Sequence, residues 1–160
     1  MKRLLVPLAL LLVFGCEDPV ARDRGASLGP DRGGYEAGPL HRAGDPCTWC
    51  HTKGGTAHPH FDLAGTVYPN KDSSFGLEGV TVRLFDSAGR QQTVGSNFTG
   101  NFFLDEGALA LSFPLWVKVE YQGQVAVMKT PIFRERSCSA CHRRTQSSSS
   151  VGPVTLEESP

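Results

Sequence analysis

Residues 77–89 read LEGVTVRLFDSAG. Val80, Val82 and Leu84 alternate with Thr81 and Arg83, the two-residue period of a strand with one buried face. Asp86-Ser87-Ala88-Gly89 then ends the strand with turn-forming residues. Further along, Gln91 to Val94 reads as a weaker strand and Asn101 to Leu104 as another, entered by the Thr99-Gly100 turn. Leu115, Val117, Val119 and Tyr121 alternate with Trp116, Lys118 and Glu120. Past the Gln122-Gly123 turn, Val125 and Val127 continue the pairing as a hairpin. Toward the N-terminus, Phe61, Leu63, Gly65 and Val67 share one face of a first strand. No helical period runs through the chain, and 18 Gly with 11 Pro among 160 residues favour turns and short strands. The pattern predicts an all-β sandwich over residues 61–132, with Val80, Val82, Leu84, Val117 and Val119 in its core.

Four of the five cysteines form two Cys-x-x-Cys pairs, each followed directly by histidine: Cys47-Thr48-Trp49-Cys50-His51 and Cys138-Ser139-Ala140-Cys141-His142. This is the attachment pattern of a c-type haem. Two thiols three residues apart reach the two vinyl groups of one haem, and the histidine supplies the proximal ligand to iron. Histidine is only 5 of 160 residues, so its placement after both pairs has a chance frequency of about one in a thousand. Cys47, Cys50, Cys138 and Cys141 are therefore expected to carry two covalent haems, with His51 and His142 as proximal ligands. Local disulfides, thioredoxin-like redox pairs, or one four-cysteine zinc site remain as alternatives. The zinc site has to bridge the 87 residues between the pairs, and no βαβ pattern supports the redox pair.

For the sixth ligands the sequence offers His41, His58, His60 and Met128. His58-Pro59-His60 lies between the first motif and the first strand, and His60 is favoured because it adjoins Phe61. His58 and His60, two apart in an extended stretch, face one side. His41 falls in a segment of tether composition, so ligation there requires ordering it. Met128 follows the last strand on the opposite face from Val125 and Val127 and has a bland reading as a sandwich methionine. Trp49 and Trp116 are candidates to pack on a porphyrin face, with Trp116 equally able to cap the outside of the sheet. Arg134, Arg136, Arg143 and Arg144 surround the second motif and read as a solvated face, as partners of haem propionates, or as a dock for an acidic redox protein.

The block from Leu63 to Val67, the run Leu77 to Leu84, the Asp86–Gly89 turn and Thr99-Gly100-Asn101-Phe102 resemble the carboxypeptidase regulatory-like domain. That resemblance implies an immunoglobulin-like β-sandwich, structural or adhesive rather than catalytic. Residues 47–142 as a whole look like exported cytochromes in which a haem-attachment segment lies on each side of such a sandwich. In that pattern a methionine precedes the second motif, the place of Met128.

Residues 1–15 read as a signal peptide: Lys2 and Arg3 precede an apolar run of 11 residues from Leu4 to Phe14, too short to span a bilayer. Val13-Phe14-Gly15-Cys16 resembles a bacterial lipobox, which implies lipidation of Cys16. Residues 16–46 have the Gly, Pro, Arg and Asp content of a flexible tether, and 145–160 that of a disordered tail. The irregular segments 47–60 and 133–144 hold the two motifs.

Net charge is zero, and removal of residues 1–15 leaves 14 basic against 16 acidic residues. That balance carries no nucleic-acid footprint. Asn97-Phe98-Thr99 matches a glycosylation acceptor, a coincidence in a bacterial lipoprotein. Catalytic signatures such as paired carboxylates, Gly-x-Ser-x-Gly or a phosphate loop are missing. The chain is expected to be an electron carrier rather than a catalyst: an exported dihaem c-type cytochrome, anchored through lipid at the periplasmic or cell surface, exchanging electrons with redox partner proteins. In that reading the sandwich is both scaffold and spacer between the haems. The alternative is a structural or adhesive lipoprotein whose cysteine pairs are disulfides or a zinc site. A third reading, a haem peroxidase or sensor, requires an open iron.

Overall fold

The computed structural model describes residues 18–144 and 148–157. The expected signal peptide and the lipidation site Cys16 lie outside the described residues. Six strands form in the expected order: β1 (Phe61–Tyr68), β2 (Thr81–Asp86), β3 (Gln91–Gly95), β4 (Asn101–Asp105), β5 (Leu115–Tyr121) and β6 (Gln124–Val127). A seventh, β7 (Val154–Thr155), comes from the C-terminal segment. They build two sheets, a three-stranded one ordered β4-β1-β7 and a four-stranded one ordered β3-β2-β5-β6. The all-β sandwich expected from alternation is thus the architecture of the chain.

The register follows from burial. Val82 lies opposite Val119 and Leu84 opposite Val117, so their side chains share the inner face of the four-stranded sheet. These four and Val80 are all buried, as expected. Leu63, Val67, Phe102 and Leu104 from the other sheet complete the cluster. Phe85 and Trp116 pair on the outer face, so Trp116 caps the outside of the sheet. The β5–β6 hairpin turns at Gln122 and Gly123, both in the left-handed region (φ 46° and 82°), the geometry of a type I′ turn whose twist suits a hairpin. Val125 and Val127 face solvent, while Ala126 and Met128 pack against the core.

Two segments differ from expectation. Residues 16–46 include a helix, α1 (Pro19–Ser27), where composition suggested flexible tether. Asp18 caps it by accepting from Val20 N at 2.9 Å, and Pro19 presets the first turn. The rest of that segment is pinned to the sandwich: Asn97 Nδ2 donates to Pro39 O (2.7 Å) and Asn101 Nδ2 to His41 O (3.0 Å). The second departure is the C-terminal segment, expected to be a disordered tail. Val154 and Thr155 pair in parallel with Val67 and Tyr68, and Leu156 is buried in the core. Burying Leu156 offsets part of the entropy of ordering that stretch.

β1 is buried on both faces from Asp62 to Tyr68. Leu63 and Val67 face the core. Asp62, Ala64, Thr66 and Tyr68, the outward set, are covered by the segments that carry the two cysteine motifs.

Candidate functional site

Both motifs fold as the same short turn. Cys47–Trp49 and Cys138–Ala140 are single 3₁₀ turns. His51 N donates to Cys47 O (2.9 Å) and His142 N to Cys138 O (2.8 Å). Cys50 N and Cys141 N donate to those same carbonyls at 3.2 Å. In a 3₁₀ turn residues i and i+3 eclipse, so the two cysteines of each motif project to one side, with histidine next in line.

The imidazoles are held in the same manner. His51 Nδ1 donates to Pro59 O at 2.6 Å and His142 Nδ1 to Gly152 O at 3.0 Å. Desolvation lowers the pKa of both rings, although the carbonyl bonds oppose it. Each histidine is therefore held neutral near pH 7, with its proton on Nδ1 and the Nε2 lone pair uncommitted, the form that binds a metal. His51 is buried and stacked on Phe61 (4.5 Å between centroids), which stacks on Phe103 (4.8 Å).

β1 brings the motifs together. Ser137 bridges Ala64 in parallel, and Ala64 N donates to Arg136 O at 2.9 Å, placing the second motif on the free edge of β1. The first motif covers the outer face: Gly44 N donates to Thr66 Oγ1 (2.8 Å) and Phe61 N to His51 O (2.9 Å). Cys47 and Cys138 are close enough for charge on one to raise the pKa of the other. The sandwich is a common scaffold and not a spacer. Gly65 is the contact point, since a Cβ there would lie 2.8 Å from both Cys138 Cβ and Phe102 Cζ. Gly25 plays a like part at the first motif, where a Cβ would lie 2.8 Å from Cys50 Sγ.

The spare histidines gather at one motif. The His41 ring centroid is 5.7 Å from that of His51, at an interplanar angle of 52°. His41 Nδ1 is engaged with the Gly38 backbone, which leaves its Nε2 uncommitted. His58 and His60 also lie within electrostatic reach of His51. Their rings are 4.4 Å apart, on one side as expected, but His60 Nδ1 faces Glu106 Oε2 at 3.2 Å. Met128 packs against the sandwich core and its amide donates to Val117 O (2.9 Å).

The arginines take different places. Arg136 pairs with Asp62 at 2.8 Å, Arg143 lies 5.0 Å from the Trp49 ring centroid, and Arg144 lies 5.4 Å from that of Tyr68. Arg134 lines a shallow depression of about 220 Å³ with Arg24 and Trp49. A second depression, about 250 Å³, lies against His60, Phe61 and Glu106. Both fall below the volume that usually encloses an organic ligand.

Burial pushes the Cys47 and Cys138 thiols up to about 12. A thioredoxin-like pair lowers a thiol pKa to make the nucleophilic thiolate, so this environment runs opposite to that reading. A neutral thioether suits it. Among the described residues, no group of three or more His, Cys, Asp or Glu is gathered so as to hold a metal ion. Thiol pairs on one side of a turn and histidines with free Nε2 together fit the donor set of a c-type haem.

Sequence reasoning did not find the parts that hold this site in place. Pro59 O and Gly152 O are backbone groups without a side-chain signal. Thr66 and Asn101, buried and hydrogen-bonded to each other at 2.7 Å, sit in strands where polar residues read as outward-facing. Asn97 likewise holds structure together, because its Oδ1 accepts from Thr99 N and Asn101 N, both at 3.1 Å. No helix among the described residues is long and apolar enough to cross a membrane. No protein-family model, no curated protein and no solved structure matches the chain.

Proposed function

We propose that the chain is a lipid-anchored dihaem c-type cytochrome that carries electrons outside the cytoplasm. The observation that supports this most is the repeated local design: two Cys-x-x-Cys-His turns with matching hydrogen bonds, each followed by a neutral histidine held through Nδ1. Cys47, Cys50 and His51 would hold one haem, and Cys138, Cys141 and His142 the other. Haem supplies one-electron chemistry when bound. Pro59 O and Gly152 O orient the imidazoles, and Phe61 keeps the His51 ring from turning. His41, whose ring centroid lies 5.7 Å from that of His51, would supply a second imidazole to the first site.

In this reading the sandwich is immunoglobulin-like and related to carboxypeptidase regulatory-like domains, a rigid mount for both haems. Cys16 carries the lipid, and residues 1–15 direct export. Arg24 and Arg134, beside Trp49, offer positive charge to an acidic redox partner.

Intact mass after co-expression with cytochrome-maturation machinery tests the cofactor. The processed chain is expected to gain two haems, and Cys47→Ala/Cys50→Ala to lose one of them. A chain that incorporates none, with no haem staining on a denaturing gel, overturns the reading in favour of a structural lipoprotein. Cys16→Ser is expected to abolish lipid labelling and release the protein from membranes. An unlabelled, soluble wild type overturns the anchor.

A further inference from the structure

We infer that the two sites are chemically unequal: His41 closes the site on His51, while the site on His142 leaves its iron open to a small neutral ligand such as carbon monoxide, nitric oxide or dioxygen. The inference rests on the dihaem reading and deepens it.

All five histidines lie among the described residues, so their distribution can be read in full. His41, His58 and His60 cluster about His51. The His142 ring is held by Gly152 O at 3.0 Å, and among the described residues the ring contacts between imidazoles are those of His41 with His51 and His58 with His60. His41 is not free to change sides. Asn101 Nδ2 donates to its carbonyl at 3.0 Å, and Gly44, three residues on, donates to Thr66 Oγ1 at 2.8 Å. Both anchors are buried in the three-stranded sheet.

Met128, the remaining strong ligand, is committed elsewhere. Its side chain packs against the core cluster and its backbone extends the β5–β6 ladder. Drawing it out would remove apolar packing from the sandwich and leave a gap behind. The asymmetry therefore follows from the fold: segment 39–44, tied across β1 and β4, brings His41 to the first motif, whereas the segment packed on the second motif, residues 150–155, carries no histidine or methionine.

Carbon monoxide titration of the reduced, dihaem-loaded full-length protein tests this, read by Soret difference spectra, with the spin state of the oxidised protein followed separately by electron paramagnetic resonance. The haem content is counted first by intact mass. The expected result is one carbon monoxide per chain and one high-spin signal. Cys138→Ala/Cys141→Ala is expected to abolish that binding, and Cys47→Ala/Cys50→Ala to retain it. His41→Ala is expected to raise the stoichiometry to two, while His58→Ala/His60→Ala leaves it at one. A dihaem protein that binds no carbon monoxide overturns the inference, with Met128→Ala then reporting whether that residue closes the site. Binding that survives Cys138→Ala/Cys141→Ala, or two molecules bound by the wild type, overturns it as well. A chain without haem removes the dihaem reading itself, and this inference with it.

Discussion

Asn101→Ala removes three hydrogen bonds from the ring of contacts that holds His41. Asn101 Oδ1 accepts from Thr66 Oγ1 at 2.7 Å, and Asn101 Nδ2 donates to His41 O at 3.0 Å and Pro39 O at 3.3 Å. Pro39 O keeps a second donor in Asn97 Nδ2, so losing that contact costs little. The other two are the larger losses. A hydrogen bond of this kind contributes about 1 kcal/mol net, and the buried Thr66 hydroxyl left without its acceptor adds roughly 1–3 kcal/mol. The total is about 3–5 kcal/mol, a large share of the stability of a domain this size. Urea denaturation followed by tryptophan fluorescence measures it, with an unchanged slope showing that only stability has moved. In the haem-loaded protein the same substitution is expected to raise the high-spin fraction at the first site, because segment 39–44 loses its anchor. Asn101→Asp should be worse, since a carboxylate would face two carbonyls. A loss below about 0.5 kcal/mol, the level of an ordinary surface change, would falsify the anchoring role.

Gly65→Val places a Cβ 2.8 Å from Cys138 Cβ and from the Phe102 ring, and is expected to destabilise by at least about 2 kcal/mol and to disturb the second motif. Thermal unfolding, with haem content read at the second site, checks it; a Tm equal to wild type refutes the close packing. Val82→Asp buries an unpaired charge in the sandwich and is expected to unfold the domain, visible as loss of the β circular-dichroism signal. Leu156→Ala is expected to cost about 2 kcal/mol and to increase proteolysis after Arg143 and Arg144, whereas an unchanged digestion pattern argues against docking of the C-terminal segment.

Alternation is sufficient for the sandwich because Val82, Leu84, Val117 and Val119 each put one face into the core, and Gln122-Gly123 is a turn by chemistry alone. The two motifs are equally plain, since each paired cysteine set and its histidine lie within five consecutive residues. What composition hides is order imposed from outside. Residues 18–46 contain too few apolar residues to predict packing, yet Asp18-Pro19 is a readable helix start and Ala21 is buried. β7 is two residues long, below the length at which periodicity carries information. Sequence adjacency stands in for proximity and so points to His60; the hydrogen bonds from Asn97 and Asn101 to segment 39–41, which bring His41 to the same motif, have no such signal. One clue to the meeting of the motifs is present in Ala64-Gly65, small residues in mid-strand where another backbone approaches.

The arrangement around β1 also sets a timetable. Its outer face is covered by residues 44–51, its free edge by 136–138 and 154–155, and its other edge by β4. In an exported chain, this strand cannot be fully buried until residues 154–156 have left the translocation machinery. Contacts so distant in sequence form slowly, because loop closure precedes any gain from pairing. Cys47 and Cys138, desolvated once the strand is enclosed, are exposed thiols throughout that interval. Were haem attached to them, as proposed, the chemistry would belong to the still-open chain and would precede the closing of the sheet.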